Sequence, residues 1–202
     1  IRDNYRTYRK FAEILGLVPT ASVTQAHIDL IPGWVRGKYD RGMVCHALDI
    51  GLMRRLLQSE LPDDWNKAIS VLRHCTAVMW VEEEALGETS KKPVTVVEDH
   101  WLNKFIDNHA GNLGKRVGHK AAEVFVERLR ETYDQTKRDL PTWLHRPAIE
   151  QHAQNHQWMG PENRFVEGLC EVLLSWVDHD TSSSKQFVQA LITDDANILR
   201  RI

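Results

Sequence analysis

The run Trp143-Leu144-His145-Arg146-Pro147-Ala148-Ile149-Glu150-Gln151-His152-Ala153-Gln154-Asn155-His156 is the most unusual segment of this sequence. It concentrates three of the ten histidines, an arginine, a glutamate and amides in fourteen residues. On a helix, His152 and His156 share a face, the spacing with which HExxH holds zinc. Ala153 follows His152 where that motif has its glutamate, so the general base is absent and no third ligand is evident. The segment therefore implies neither a metal nor a cofactor. A structural reading fits better. Arg146 and Glu150 are an i,i+4 pair. His152, Gln154 and Asn155 can satisfy backbone groups of a neighbouring helix. Trp143, Arg146, Pro147, Glu150, His152, Gln154 and Asn155 are expected to form an interaction motif with no catalytic residue. The alternative is a hydrolytic or metal-dependent helical enzyme using His152, His156 and Glu150.

Other constellations carry less. Trp34 lies among Arg36, Lys38, Tyr39 and Arg41. Aromatic rings interleaved with cations are what a single-stranded nucleic-acid groove uses. The same residue types favour protein interfaces, which is the preferred reading of this short stretch. Lys115, Arg116 and Lys120 would extend a nucleic-acid surface. Gly111, Gly114 and Gly118 do not follow a strand, as a phosphate cradle requires, and are expected to be a turn between helices. Glu82-Glu83-Glu84 reads as a solvated helix end. Asp178-His179-Asp180 offers a base and its orienter without a nucleophile, and Thr181-Ser182-Ser183-Ser184 reads as a helix cap.

The elements that must position these groups are helical. Tyr5, Tyr8, Phe11, Ile14, Leu15 and Val18 recur at three- and four-residue steps until Pro19. A second helix is expected from Thr24 to Ile31. A third runs from Met43 to Leu57. Asp63-Asp64 should cap a helix extending to Val81, with Gly87 closing it. Helices are further expected over His100–His109, Ala121–Arg138, Trp143–Trp158, Pro161–Val177 and Lys185–Ile192. Thr193 to Asn197 reads as the start of one more. Trp65, Trp101 and Trp143 stand at helix starts, where they can wedge between helices. Thr95-Val96-Val97 is the one β-branched cluster, expected to lead into a helix. About nine helices in short-looped pairs point to an all-α fold. The expected architecture is a HEAT-like helical repeat, an α-solenoid, with an irregular helical bundle as the alternative.

The string Trp-x-x-Arg-Pro-Ala-Ile-Glu-x-His-x-Gln-Asn resembles a motif of helical-repeat regions in large bacterial multidomain proteins. Those proteins carry sirtuin-like or STAND-type nucleotide-hydrolase modules, and many are linked to anti-phage defence. Val172-Leu173-Leu174, Asp178-His179-Asp180 and Leu199-Arg200-Arg201-Ile202 are similar to the residues downstream of the motif in that group. The resemblance covers Trp143 to Ile202, and the N-terminal half only as a loose helical pattern. The motif usually has an acidic residue on each side of its histidine; here those positions are Gln151 and Ala153. The resemblance implies a non-catalytic scaffold or sensor region that engages a protein partner or an attached effector domain.

Composition agrees with a folded chain. The 202 residues are 42% hydrophobic and 27% charged, which excludes a disordered or collagen-like chain. Twenty-six basic against 28 acidic residues give a net charge of -2, so no global field favours nucleic acid or anionic lipid. No apolar run approaches the roughly 20 residues that span a bilayer. Cys45, Cys75 and Cys170 lie far apart in apolar helical contexts, as buried free thiols of a reducing cytoplasm do. Residues 1–202 are read as one helical domain, with 1–92 and 93–202 as a subdivision. The start at Ile1 and the stop at Ile202 suggest a fragment of a longer chain.

Overall fold

The three- and four-residue spacing of apolar side chains becomes helix over most of the chain. The computed structural model describes residues 6–85, 88–134 and 160–202. Helix α1 (Thr7–Leu17) buries Ala12, Leu15 and Gly16 and stops where Val18 turns extended ahead of Pro19. The helix expected from Thr24 to Ile31 is shorter, α2 (Gln25–Ile28), and a separate helix α3 (Ile31–Val35) begins where it was expected to end. Pro32 sits in the first turn of α3, where its missing N–H interrupts no hydrogen bond, so it opens a helix rather than ending one. Helix α4 (Arg41–Ala47), a π-helical turn (Leu48–Met53) and α5 (Arg54–Gln58) follow without a break, as the Met43–Leu57 pattern predicts.

Helix α6 (Pro62–Cys75) carries Asp63 and Asp64 in its first turn, at the positive end of its dipole. Leu61 occupies the cap position, so the aspartates are not the cap itself. Asp64 is buried and accepts from Lys67 Nζ at 2.9 Å. The helix ends at Cys75, short of the expected Val81. Strands β1 (Val78–Ala85) and β2 (Glu88–Thr95) then form an antiparallel hairpin, with Val78 opposite Thr95 and Glu82 opposite Lys91. This corrects two expectations, the longer helix and the glutamate-rich helix end. Val78, Val81, Val94 and Thr95 favour strand, and Lys92 pairs with Glu83 across the ladder. Pro93 is tolerated because both strands of a two-stranded sheet are edges.

Helix α7 (Asp99–Leu129) is the centre of the fold. It packs against α4, the π turn, α5 and α6, and most extensively against α8 (Pro161–His179). The three glycines expected to make a turn lie inside α7 instead. A Cβ on Gly114 would stand 2.4 Å from the Val172 carbonyl oxygen, and one on Gly118 would stand 2.2 Å from the Trp176 ring. Absent side chains there let α8 approach the α7 backbone. The helix kinks at Val117 (φ -145°, ψ 41°), between these two contacts. Phe105, Phe125 and Phe165 fill the α7–α8 core.

Helix α9 (Thr181–Ile192) begins one residue after Asp180, whose Oδ1 accepts from the Ser183 N–H at 3.1 Å and the Ser182 hydroxyl at 2.8 Å. Asp180, not the serine run, is therefore the cap. Those hydrogen bonds hold its carboxyl down at about 2. Helix α10 (Asn197–Arg201) starts where expected, with the Ala196 N–H on Asp194 Oδ1 at 2.9 Å. Cys45 and Cys75 are buried and Cys170 is half-buried, all as free thiols. A hydrogen bond with Cys75, and then burial, pushes the Cys45 thiol well up. No helix among the described residues is long and apolar enough to cross a membrane.

Candidate functional site

Chemistry converges where the π turn faces α7. Asp49 falls within the apolar stripe of Leu48, Leu52, Met53 and Leu56, so folding carries its carboxylate inside, 3% exposed. His109 follows Leu102, Phe105 and Ile106 on the inner face of α7 and is 5% exposed. The two meet with His109 Nε2 2.7 Å from Asp49 Oδ1. Asn108 Nδ2 donates to both Asp49 oxygens at 3.1 Å. His46 Nδ1 stands 3.9 Å from Asp49 Oδ2, and the His46 ring lies against Trp101 with centroids 4.9 Å apart.

Burial alone would raise the Asp49 carboxyl. The hydrogen bonds from His109 and Asn108, with the charges of His109 and His46, outweigh it and hold the group below its usual range. An ionised carboxylate offers only lone pairs, so His109 Nε2 must carry a proton. That fixes the orientation of the imidazole. Its Nδ1 has no hydrogen-bond partner among the described residues.

Two pockets flank Ile50. The first, of about 610 Å³, is polar and is lined by Asp49, His109, Asn112, Arg54, Gln58 and Arg116 among others. Arg116 reaches it already fixed. Its guanidinium forks onto Glu60 at 3.0 and 2.9 Å and stacks 5.2 Å from the centroid of Trp65. The second pocket, of about 400 Å³, is apolar. Gly16, Leu17, Met43, Ala47, Ile50 and Gly51 line it, and Arg9 and Glu13 contribute as well. Its lining includes a close backbone crossing, since a Cβ on Gly16 would lie 3.0 Å from Gly51 Cα. Of its lining, Leu17 is 80% exposed and Ile50 57%.

The sequence-derived candidates fare differently. The segment with Trp143, His145, Arg146, Pro147, Glu150, His152, Gln154, Asn155 and His156 lies outside the described residues. Trp34 is buried in the core, its ring 5.9 Å from that of Phe11, and so is no platform for a base. Arg36, Lys38 and Tyr39 remain at the surface, with Lys38 over the Tyr39 ring at 5.3 Å. Arg41 is half-buried. Of the second basic group, Arg116 is held by Glu60, and Lys120 donates to Asn66 Oδ1 at 2.7 Å.

Asp49, Asn108 and His109 were not among the sequence-derived candidates. A signal was available, because each of Asp49 and His109 interrupts an apolar helical stripe at a core-facing position. A buried polar residue needs a partner, and two such interruptions on separate helices are candidates for each other. No family model, curated protein or solved structure matches this chain.

Proposed function

We propose that the chain is a recognition module, a scaffold or sensor segment of a larger bacterial protein, that docks a protein partner on the surface beside the π turn. The observation carrying this reading is the pair of exposed apolar side chains, Leu17 and Ile50, lining an apolar groove together with the Gly16–Gly51 crossing. Large apolar side chains left in water around a concave apolar surface favour association. The charged rim of Arg9 and Glu13 gives a partner polar contacts at the edge. The resemblance of the C-terminal segment to defence-associated helical regions supports the same reading, and the repeat geometry is not needed for it.

The test compares the wild-type chain with Leu17→Glu and Ile50→Glu. Both side chains are mostly exposed, so both variants should fold. A protein captured from a native extract is purified and recombined with each chain. A reconstituted complex that both substitutions abolish, with unchanged thermal midpoints, supports the module. Failure to reconstitute any complex, or a complex indifferent to both substitutions, overturns it.

One observation favours a second reading, a hydrolytic enzyme. Asp49 orients His109 against the polar pocket, the pairing that prepares an imidazole to act as a base toward a bound water. Turnover of phosphate or carboxylate esters that disappears in His109→Ala, while the folded state persists, would support it.

A further inference from the structure

We infer that the polar pocket between the π turn, α5 and α7 binds an oxyanion, the phosphate or carboxylate group of a small organic molecule. Its volume of about 610 Å³ suits a ligand of metabolite size. The pocket is separate from the docking surface, because the two share only Ile50 in their linings.

The lining is built to donate. Asp49 is the pocket's acid, and its two oxygens are already taken by His109 and Asn108. The unspent groups are therefore donors and cations. Arg54 has no hydrogen-bond or ion-pair partner among the described residues, whereas the adjacent Arg55 is anchored to the carbonyls of Gly16 and Val18 at 2.7 and 2.9 Å. A guanidinium left unpaired beside a concave polar surface is free to fork onto an incoming oxyanion. Arg116 is held by Glu60 and Trp65, so little side-chain entropy is lost when a ligand uses its remaining N–H groups. Asn112 and Gln58 add amide donors to the lining.

His109 supplies the observation that points most directly to a ligand. The residue is 5% exposed, lines the pocket, and carries a ring nitrogen without a partner among the described residues. That nitrogen is not sealed from solvent, so a ligand group can reach it without displacing a protein partner. With Nε2–H directed at Asp49, Nδ1 of the neutral ring accepts the proton of a hydrogen phosphate or a carboxylic acid. The protonated ring donates to the corresponding anion.

The experiment is an NMR titration of the whole chain with inorganic phosphate, reading the histidine ring and arginine Nε resonances at constant ionic strength. Phosphate should shift His109, Arg54 and Arg116 saturably. Affinity should fall about tenfold or more in Arg54→Ala, the loss expected for one charge-assisted contact. Arg54→Lys should recover part of it, and Asn112→Ala should weaken binding less. Acetate in a parallel titration separates the sources of the oxyanion, and saturation by either ion at these residues supports the site. Shifts that sodium chloride reproduces overturn the proposal, as do shifts unchanged in Arg54→Ala or absent from His109. Arg54 is exposed, so a thermal melt should show its variants folded.

Discussion

Helix α7 uses opposite solutions along its length to bring a neighbour close. At Gly114 and Gly118 it removes side chains, and α8 comes within reach of its backbone. At His109 it keeps a polar side chain inside and pairs it, with the exposed Asn108 beside it, to Asp49 of the π turn. The glycine seam is satisfied by shape where the helices touch, and an open pocket of about 430 Å³ lies beside it, lined by Gly114, Gly118, Lys120 and Trp176 among others. The polar junction satisfies Asp49 but leaves one nitrogen of His109 beside a pocket. Close packing without side chains fixes how helices cross. A buried polar pair fixes the same crossing and keeps a chemical group available. Of the two, only the second sets a buried acid–imidazole pair in the lining of a pocket, and π turns are recurrent at functional sites.

Substitutions can break this contrast, and the largest effect is expected at the polar junction. Asp49→Ala removes the acceptor of the buried His109 and should destabilise the chain by about 3–5 kcal/mol, measured by urea unfolding. Asp49→Asn retains an acceptor oxygen and should lose less. The glycine seam should respond by steric conflict. Gly114→Ala places a methyl group against a backbone carbonyl that cannot rotate away, and about 1–3 kcal/mol should be lost. Gly33→Ala gives the reference, because nothing lies within 4 Å of its Cβ; in α3 it should gain about 0.5–1 kcal/mol. If Gly114→Ala behaved like Gly33→Ala, α8 would not approach α7 as described.

A smaller effect should appear in acid. Asp49 and Asp180 both ionise more readily in the folded chain than when unfolded. Each therefore adds stability that is complete above the unfolded carboxyl value of about 4 and is lost as pH falls through the folded value. For Asp180 that loss runs from about 4 down to about 2. Thermal melts between these pH values should show a falling midpoint whose slope is reduced in Asp180→Ala. A slope unaffected by that substitution would mean the cap of α9 is not formed as described.

Elements differ in how legible they were beforehand. Helices α1, α6, α8 and the α4–α5 rod follow from the spacing of apolar residues, since local backbone geometry alone puts every third or fourth side chain on one face. The β hairpin did not follow, because Val78-Met79-Trp80-Val81 suits either period until the opposite charges of Glu83 and Lys92 meet diagonally across the ladder. The glycines of α7 read as a turn in sequence for a related reason. Glycine weakens an isolated helix, and only the approach of Val172 and Trp176 makes its missing side chain an advantage.

Helical class, most helix positions, the free thiols and the lack of a strong net charge could all be read from residue order, because each depends on composition or on neighbours along the chain. Folding in three dimensions was needed to bring Asp49 and His109, sixty positions apart, into one hydrogen bond beside a pocket, and to make Trp34 core rather than surface. A contact across that many residues is specified by how several helices pack at once, and no local pattern carries that information.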